Sequence, residues 1–170
     1  MIAAKAAPVD LQAARALFAV LGAALATLAG AWYFELALNL LPCKLCLQQR
    51  IPYYIAAPLA LAGLGAMWRG RPDVARGALA LLALVFLVSA GLGIYHSGVE
   101  WGFWQGPADC GGRLNAGPAS AGNLLETLRA TRVVSCTEAA WRFAGLSLAG
   151  WNAVISGGLA LLSASSVLKR

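Results

Sequence analysis

The stretch at residues 77–99, GALALLALVFLVSAGLGIYHSGV, runs for 23 residues without a formal charge if its histidine is counted as neutral. An α-helix needs about 20 apolar residues to cross the ~30 Å hydrocarbon core of a bilayer, so this stretch predicts a transmembrane helix. Three other runs are also free of charge: residues 16–34 (19 residues), 51–67 (17) and 143–168 (26). The sequence therefore predicts four membrane-spanning helices.

The composition agrees with a membrane protein. The chain has 170 residues, of which 60% are hydrophobic and only 12% are charged, too few charges to cover a soluble domain of this size. A cleaved signal peptide is disfavoured for the first run, because it exceeds the usual apolar region of about 7–15 residues and Asp10 precedes it. We predict one all-α integral membrane domain, a four-transmembrane-helix bundle, with helices at about 16–38, 48–67, 76–96 and 145–167 and external loops at about 39–47 and 97–144.

The net charge of +6 is a topology signal rather than a sign of nucleic-acid binding, because the basic residues are unevenly distributed. They concentrate before helix 1, between helices 2 and 3, and after helix 4, which helix parity places on one face of the membrane. The positive-inside rule makes that face cytoplasmic, so both termini are expected in the cytoplasm. The residues are Lys5, Arg15, Arg69, Arg71, Arg76, Lys169 and Arg170.

Four cysteines lie outside the predicted spans, and parity places all of them on the outer face. Cys43 and Cys46 form a C-x-x-C motif after helix 1, whereas Cys110 and Cys136 lie between helices 3 and 4. Disulfides persist in an oxidising compartment of this kind. Three pairings are possible, and the C-x-x-C spacing favours 43–46 with 110–136.

Structural bridges and a zinc site are the alternatives to redox chemistry. A Cys110–Cys136 bridge closes 27 residues and stabilises the fold by roughly 3.5 kcal/mol in the loop-entropy model, so a structural role is a strong alternative there. A Cys43–Cys46 bridge removes little chain entropy, and redox enzymes use that spacing repeatedly. Zinc is disfavoured because the second pair lacks close spacing, and we predict no metal.

Arg50 follows the C-x-x-C motif by one helical turn. If helix 2 starts near Leu47, Cys46 caps it, and the helix N-terminus favours a thiolate. Arg50 is then a permanent positive charge that stabilises the thiolate or an anion on a bound electron acceptor; the alternative is interfacial snorkelling. The chain contains no dinucleotide, P-loop or haem motif, so a quinone dissolved in the bilayer is the acceptor that fits best.

Two further polar residues lie near the predicted outer ends of helices. His96 is the only histidine of the chain. It is either an interfacial polar residue or a residue that holds the quinone and moves its protons. Glu35 is either an interfacial residue, which is favoured, or a proton carrier.

These features together resemble the bacterial disulfide bond formation protein B (DsbB) family. The resemblance rests on four spans, PCKLC at 42–46, an arginine four residues after its second cysteine, and a cysteine pair in the second external loop. The stretches YHSGVEWGFWQGPADC (95–110) and GLSLAGWN (145–152) are also typical of the family. The resemblance covers nearly the whole chain.

The resemblance implies a role for each cysteine. Cys110 is attacked by a periplasmic, DsbA-like thioredoxin-fold thiol oxidase, and Cys136 is its loop partner. Cys43 and Cys46 form the membrane-proximal pair, with Cys46 as the thiolate that engages the quinone. Arg50 lies beside this thiolate.

The same resemblance implies a function in the bacterial inner membrane. His96 matches a quinone-site residue, and Gln49 receives no role. The chain is then expected to be a protein-dithiol:quinone oxidoreductase that uses ubiquinone or menaquinone, with its cysteines on the periplasmic side. The alternatives are a vitamin K epoxide reductase-like enzyme and a non-enzymatic membrane protein with two structural disulfides.

Overall fold

The computed structural model describes residues 11–107 and 135–168, and four long helices dominate them. They are α1 (Leu11–Leu36), α2 (Lys44–Trp68), α3 (Pro72–Glu100) and α4 (Leu148–Leu168). All four are long and apolar enough to cross a membrane. The predicted fold class, an all-α bundle of four transmembrane helices with a long loop between the third and fourth, is confirmed.

The bundle interior combines small residues with a few large apolar side chains. Leu17, Leu79, Leu82 and Phe86 are fully buried. Large apolar side chains also project outward, as expected where lipid replaces water around the protein. Among the most exposed are Leu84, Leu87, Val88 and Leu161.

Glycine and proline determine where α2 ends and α3 begins. Gly70 follows the end of α2 with φ +68°, a left-handed conformation that glycine adopts without steric cost. Pro72 then begins α3, where its missing N–H is not needed, and Asp73 lies in the positive first turn. The helix thus starts at Pro72 and continues to Glu100, whereas the sequence predicts about 76–96.

Helices α3 and α4 approach each other closely at Gly93. A Cβ atom at this position would lie 2.8 Å from the backbone nitrogen of Ala153, a distance that real side chains do not adopt. Close packing through small residues is typical of membrane helices, which gain no hydrophobic stabilisation from association. Ser89 on α3 and Asn152 on α4 lie one turn or less from this contact, and the Asn152 amide reaches the backbone oxygen of Ser89.

A short hairpin leads into α4. Strands β1 (Arg142–Phe143) and β2 (Leu146–Ser147) pair in antiparallel register through a two-residue turn. Ala144 and Gly145 both have positive φ angles, 49° and 82°, as two-residue hairpin turns require. Just before the hairpin, the ring of Trp141 contacts that of Phe34 on α1, with centroids 5.2 Å apart. Cys110 lies outside the described residues.

Candidate functional site

Cys43 caps the N-terminus of α2. Its backbone is extended (φ −72°, ψ 171°), and its Sγ accepts a hydrogen bond of 3.2 Å from the backbone N–H of Cys46. The prediction of a helix start near Leu47, with Cys46 as the cap, is wrong. The helix begins at Lys44 because the Cys43 sulfur takes the role that an oxygen of Ser, Thr, Asp or Asn usually has.

The two thiols of the C-x-x-C motif are free and in contact, with their sulfurs 2.7 Å apart. The pKa of Cys43 is lowered from 9.0 to about 5, chiefly because the Cys46 thiol donates a hydrogen bond to it, with a further contribution from His96. Burial opposes this shift. The hydrogen bonds that the Cys43 sulfur accepts thus favour a thiolate at Cys43, whereas the sequence predicts the thiolate at Cys46.

This assignment predicts the pH dependence of Cys43 alkylation. The thiolate is the nucleophile, so Cys43 should be alkylated at half its maximum rate near pH 5. At lower pH the rate should decrease further, because more of the sulfur is protonated. Trypsin cleaves after Lys44 and thus separates Cys43 from Cys46, so mass spectrometry can score each thiol. His96→Leu should move the midpoint upward because it removes a hydrogen bond to the sulfur. A midpoint near the ordinary value of 9.0 in the unmodified protein would contradict the assignment.

Cys136 comes into this site from the loop before α4. It is fully buried and disulfide-bonded. Its Sγ, the Sγ of Cys43 and a ring nitrogen of His96 all lie within 4.8 Å of one another. Since Cys43 and Cys46 are free, the structure places a disulfide next to a dithiol. The pairing with Cys110 stays a prediction, because Cys110 lies outside the described residues.

His96 lies between the thiols and the bundle interior. Its Nε2 is 3.7 Å from the Cys43 sulfur and 3.8 Å from Oε1 of Glu100, one turn further along α3. Its Nδ1 is 2.6 Å from the side-chain nitrogen of Gln49. The other carboxylate oxygen of Glu100 is buried and has no hydrogen-bond partner among the described residues.

Gln49 continues a chain of buried hydrogen bonds toward the middle of the bundle. Asn152 Nδ2 donates to Gln49 Oε1 (2.7 Å), and the Tyr53 hydroxyl donates to Asn152 Oδ1 (2.5 Å). The Tyr53 hydroxyl also lies 2.9 Å from Ser156 Oγ, which donates to Ser89 Oγ (2.8 Å). Such a polar network is stable in an apolar bundle because its members satisfy one another.

Arg50 has a counter-ion. One guanidinium nitrogen donates to the Glu35 carboxylate (2.5 Å) and another to the backbone oxygen of Ala31 (3.3 Å), and the guanidinium lies 5.7 Å from the ring centroid of Trp32. Arg50 thus makes three contacts with residues of α1. Its side chain is 13% exposed, which differs from an arginine that extends freely toward the lipid headgroups.

A cavity of about 420 Å³ brings these groups together. Its polar lining includes the two thiols of the C-x-x-C motif with Gln49, Arg50 and His96. Apolar side chains of α1 and α4 form much of the remaining wall, among them Ala26, Leu28, Phe34, Leu148 and Ile155.

The comparison with known families decides what kind of protein carries this site. The model of the family described as "Disulfide bond formation protein DsbB" matches residues 13–165, which is most of the chain.

The chain belongs to the DsbB family.

Three relatives of this DsbB-family chain illustrate the match. The "Disulfide bond formation protein B" of Marinobacter nauticus is 32% identical over 151 residues, which is 84% of each chain. That of Xanthomonas oryzae pv. oryzae is 34% identical over 145 residues, 84% of this chain and 83% of the relative. That of Nitrosospira multiformis is 33% identical over 147 residues, 82% of each. No solved structure gives a significant match. The chain is thus a multi-pass membrane protein of disulfide bond formation.

The sequence did not indicate a role for three residues of the site. Glu100 follows His96 by four residues, so both lie on one helix face, and this spacing was a usable signal. Gln49 was named without a role. Asn152 reaches Gln49 from 103 positions away along the chain, and no local pattern indicates such a contact.

Proposed function

We propose that the chain is a membrane thiol–quinone oxidoreductase. It reoxidises a periplasmic, DsbA-like thioredoxin-fold oxidase and passes the electrons through two cysteine pairs to ubiquinone or menaquinone. The observation that carries this proposal is the position of Cys136. A buried disulfide sulfur within 4.8 Å of the Cys43 sulfur is close enough for thiol–disulfide exchange after a small displacement.

The electron path starts at the loop pair. A thiolate of the partner attacks Cys110 in a Cys110–Cys136 disulfide, and its second thiol resolves this mixed disulfide. The partner leaves oxidised, and the electron pair is now on Cys110 and Cys136. A structural role for the loop pair would not require either sulfur to approach the C-x-x-C motif.

Exchange between the two pairs follows. The Cys136 thiolate attacks the Cys43 sulfur of a Cys43–Cys46 disulfide, and Cys46 leaves as a thiolate. Cys110 then attacks Cys136, which restores the loop disulfide and releases Cys43. The resulting state has two free thiols in the motif and a disulfide at Cys136; free thiols at Cys43 and Cys46 beside a disulfide-bonded Cys136 support this order of steps.

The cavity fits a quinone headgroup. A quinone is an apolar ring with polar oxygens at its edge, and it accepts two electrons and two protons. The apolar walls from α1 and α4 suit the ring, while Arg50, His96 and Gln49 at the polar end suit the oxygens. Cys46 lines the same cavity, so its sulfur is within reach of a bound ring. A DsbA-like partner has a potential of about −120 mV, which calls for an acceptor as oxidising as a quinone.

The proposed orientation follows from the basic residues. Arg69 and Arg71 lie between α2 and α3, at the opposite end of the bundle from Cys43. The positive-inside rule then places both termini in the cytoplasm and the cysteines at the periplasmic face of the bacterial inner membrane.

Quinone reduction by the purified protein tests the function. With a reduced thioredoxin-fold oxidase as donor, quinone absorbance should decrease at a steady rate, and Cys43→Ser should abolish the decrease. Lys44→Ala is a matched control because it changes the same turn without removing a sulfur. If the protein is folded and can form its disulfides but leaves the quinone oxidised, a non-enzymatic role is favoured.

A further inference from the structure

The buried hydrogen bonds around Asn152 have a direction, and a backbone carbonyl determines it. A carbonyl oxygen only accepts. Since the Asn152 amide lies 3.5 Å from the backbone oxygen of Ser89, its NH₂ group must face Ser89. Its oxygen then faces the Tyr53 hydroxyl, which donates to it.

This direction passes to Gln49 and from there to His96. The Asn152 NH₂ group also donates to Gln49 Oε1, so the Gln49 NH₂ group must point the other way, toward His96. It lies 2.6 Å from Nδ1. An amide NH₂ group can only donate, and Nδ1 must therefore present a lone pair. The proton of a neutral His96 is left on Nε2.

The opposite side of the ring leads to the same assignment independently. Nε2 faces the Cys43 sulfur at 3.7 Å and the Glu100 carboxylate at 3.8 Å. A thiolate and a carboxylate are both acceptors, so both favour a proton on Nε2. All members of this set are buried, with His96 3% and Gln49 7% exposed, and water does not compete readily for these bonds.

We propose that Gln49 and Asn152 are positioning residues that fix the proton of His96 on Nε2, where it faces the Cys43 sulfur. This inference deepens the proposed function and rests on it for the role of Cys43. His96 acts as a hydrogen-bond donor that stabilises negative charge on Cys43. In this tautomer its Nε2 has no lone pair with which to take the proton of the Cys43 thiol, so that proton must leave by another route.

The tautomer can be measured directly because His96 is the only histidine. Protein labelled with ¹⁵N-histidine and reduced at the C-x-x-C motif gives a single pair of ring signals, without quinone or partner. Nε2 should show a protonated, pyrrole-type shift and Nδ1 a lone-pair, pyridine-type shift. The reverse pattern in the unmodified protein would overturn the proposal, and this test needs no substitution.

Asn152→Leu tests whether Asn152 controls the His96 tautomer through Gln49. Gln49 loses the donor that orients it, so a fraction with the proton on Nδ1 should appear, and the alkylation midpoint of Cys43 should move upward. Ser163→Ala on α4 is the control: Ser163 is buried and its Oγ has no partner among the described residues. It should leave both readouts unchanged.

A folded Asn152→Leu protein with an unchanged tautomer would show that Asn152 only fills space. Gln49→Met provides a second test because it removes the donor to Nδ1 while keeping the length of the side chain. It should also mix the two tautomers. The expected tautomers without quinone reduction would refute the proposed function alone, whereas quinone reduction with the wrong tautomer would refute this inference alone.

Discussion

Replacement of Arg50 by methionine should lower kcat/KM for quinone reduction by about 10²–10³-fold. The proposed reaction would create negative charge on sulfur and on the acceptor in a site with little water, and a fixed cation would lower the cost of that charge. The estimate corresponds to the loss of one oxyanion donor, about 2.7–4 kcal/mol. Steady-state rates across a quinone titration measure the effect.

The Glu35 partner of Arg50 makes a control necessary. Arg50→Met also leaves the Glu35 carboxylate, 24% exposed, without its cation, and this carboxylate would repel a nearby anion. The double variant Arg50→Met/Glu35→Gln removes that repulsion and isolates the missing cation. Glu35→Gln alone leaves the positive charge in place and should have a small effect. Arg50→Lys should have a moderate effect because it keeps the charge but loses the planar fork.

Exchange between the loop pair and the soluble partner should be nearly unchanged in all four variants, because that step does not involve the guanidinium. A single-turnover assay with the partner and no quinone measures it. Normal quinone kinetics in a folded Arg50→Met protein would show that the arginine only pairs with Glu35 and anchors α1 to α2.

The four helices could be predicted because hydrocarbon imposes a simple rule on sequence. A helix of about 20 residues without charge is stable in lipid but exposes too much apolar surface in water. Charge-free runs therefore locate the transmembrane helices well. Helix ends follow local chemistry that is less regular. α2 begins at Lys44 because a cysteine, rather than one of the usual capping residues, precedes it.

Some residues of the site could be predicted from a local motif, whereas their contacts with other helices could not. Cys43, Cys46 and Arg50 are visible because one motif places them within two turns. The pairing of Arg50 with Glu35 and of Gln49 with Asn152 was not visible, because each joins two helices whose relative rotation depends on packing. The lowered pKa of Cys43 was not visible for a related reason: it depends on which sulfur caps the helix and contacts His96.

The second large effect concerns the two sulfurs that join the pairs. In the variant Cys46→Ser/Cys110→Ser, Cys43 and Cys136 keep their thiols and lose their partners in the proposed pairs. Their sulfurs lie within 4.8 Å, so mild oxidation should convert nearly all of the protein to a Cys43–Cys136 disulfide. The companion variant Cys43→Ser/Cys110→Ser leaves Cys46 as the inner thiol and should cross-link more slowly, since Cys43 is the sulfur that the structure places beside Cys136.

Peptide mass spectrometry of this oxidised double variant shows whether electrons can pass between Cys136 and Cys43. We expect a linked pair of peptides containing these two cysteines, formed without added partner or quinone and lost on reduction. If both thiols remain fully alkylatable in a folded protein after oxidation, the loop pair has no route to the membrane pair and electron transfer through Cys136 and Cys43 is refuted.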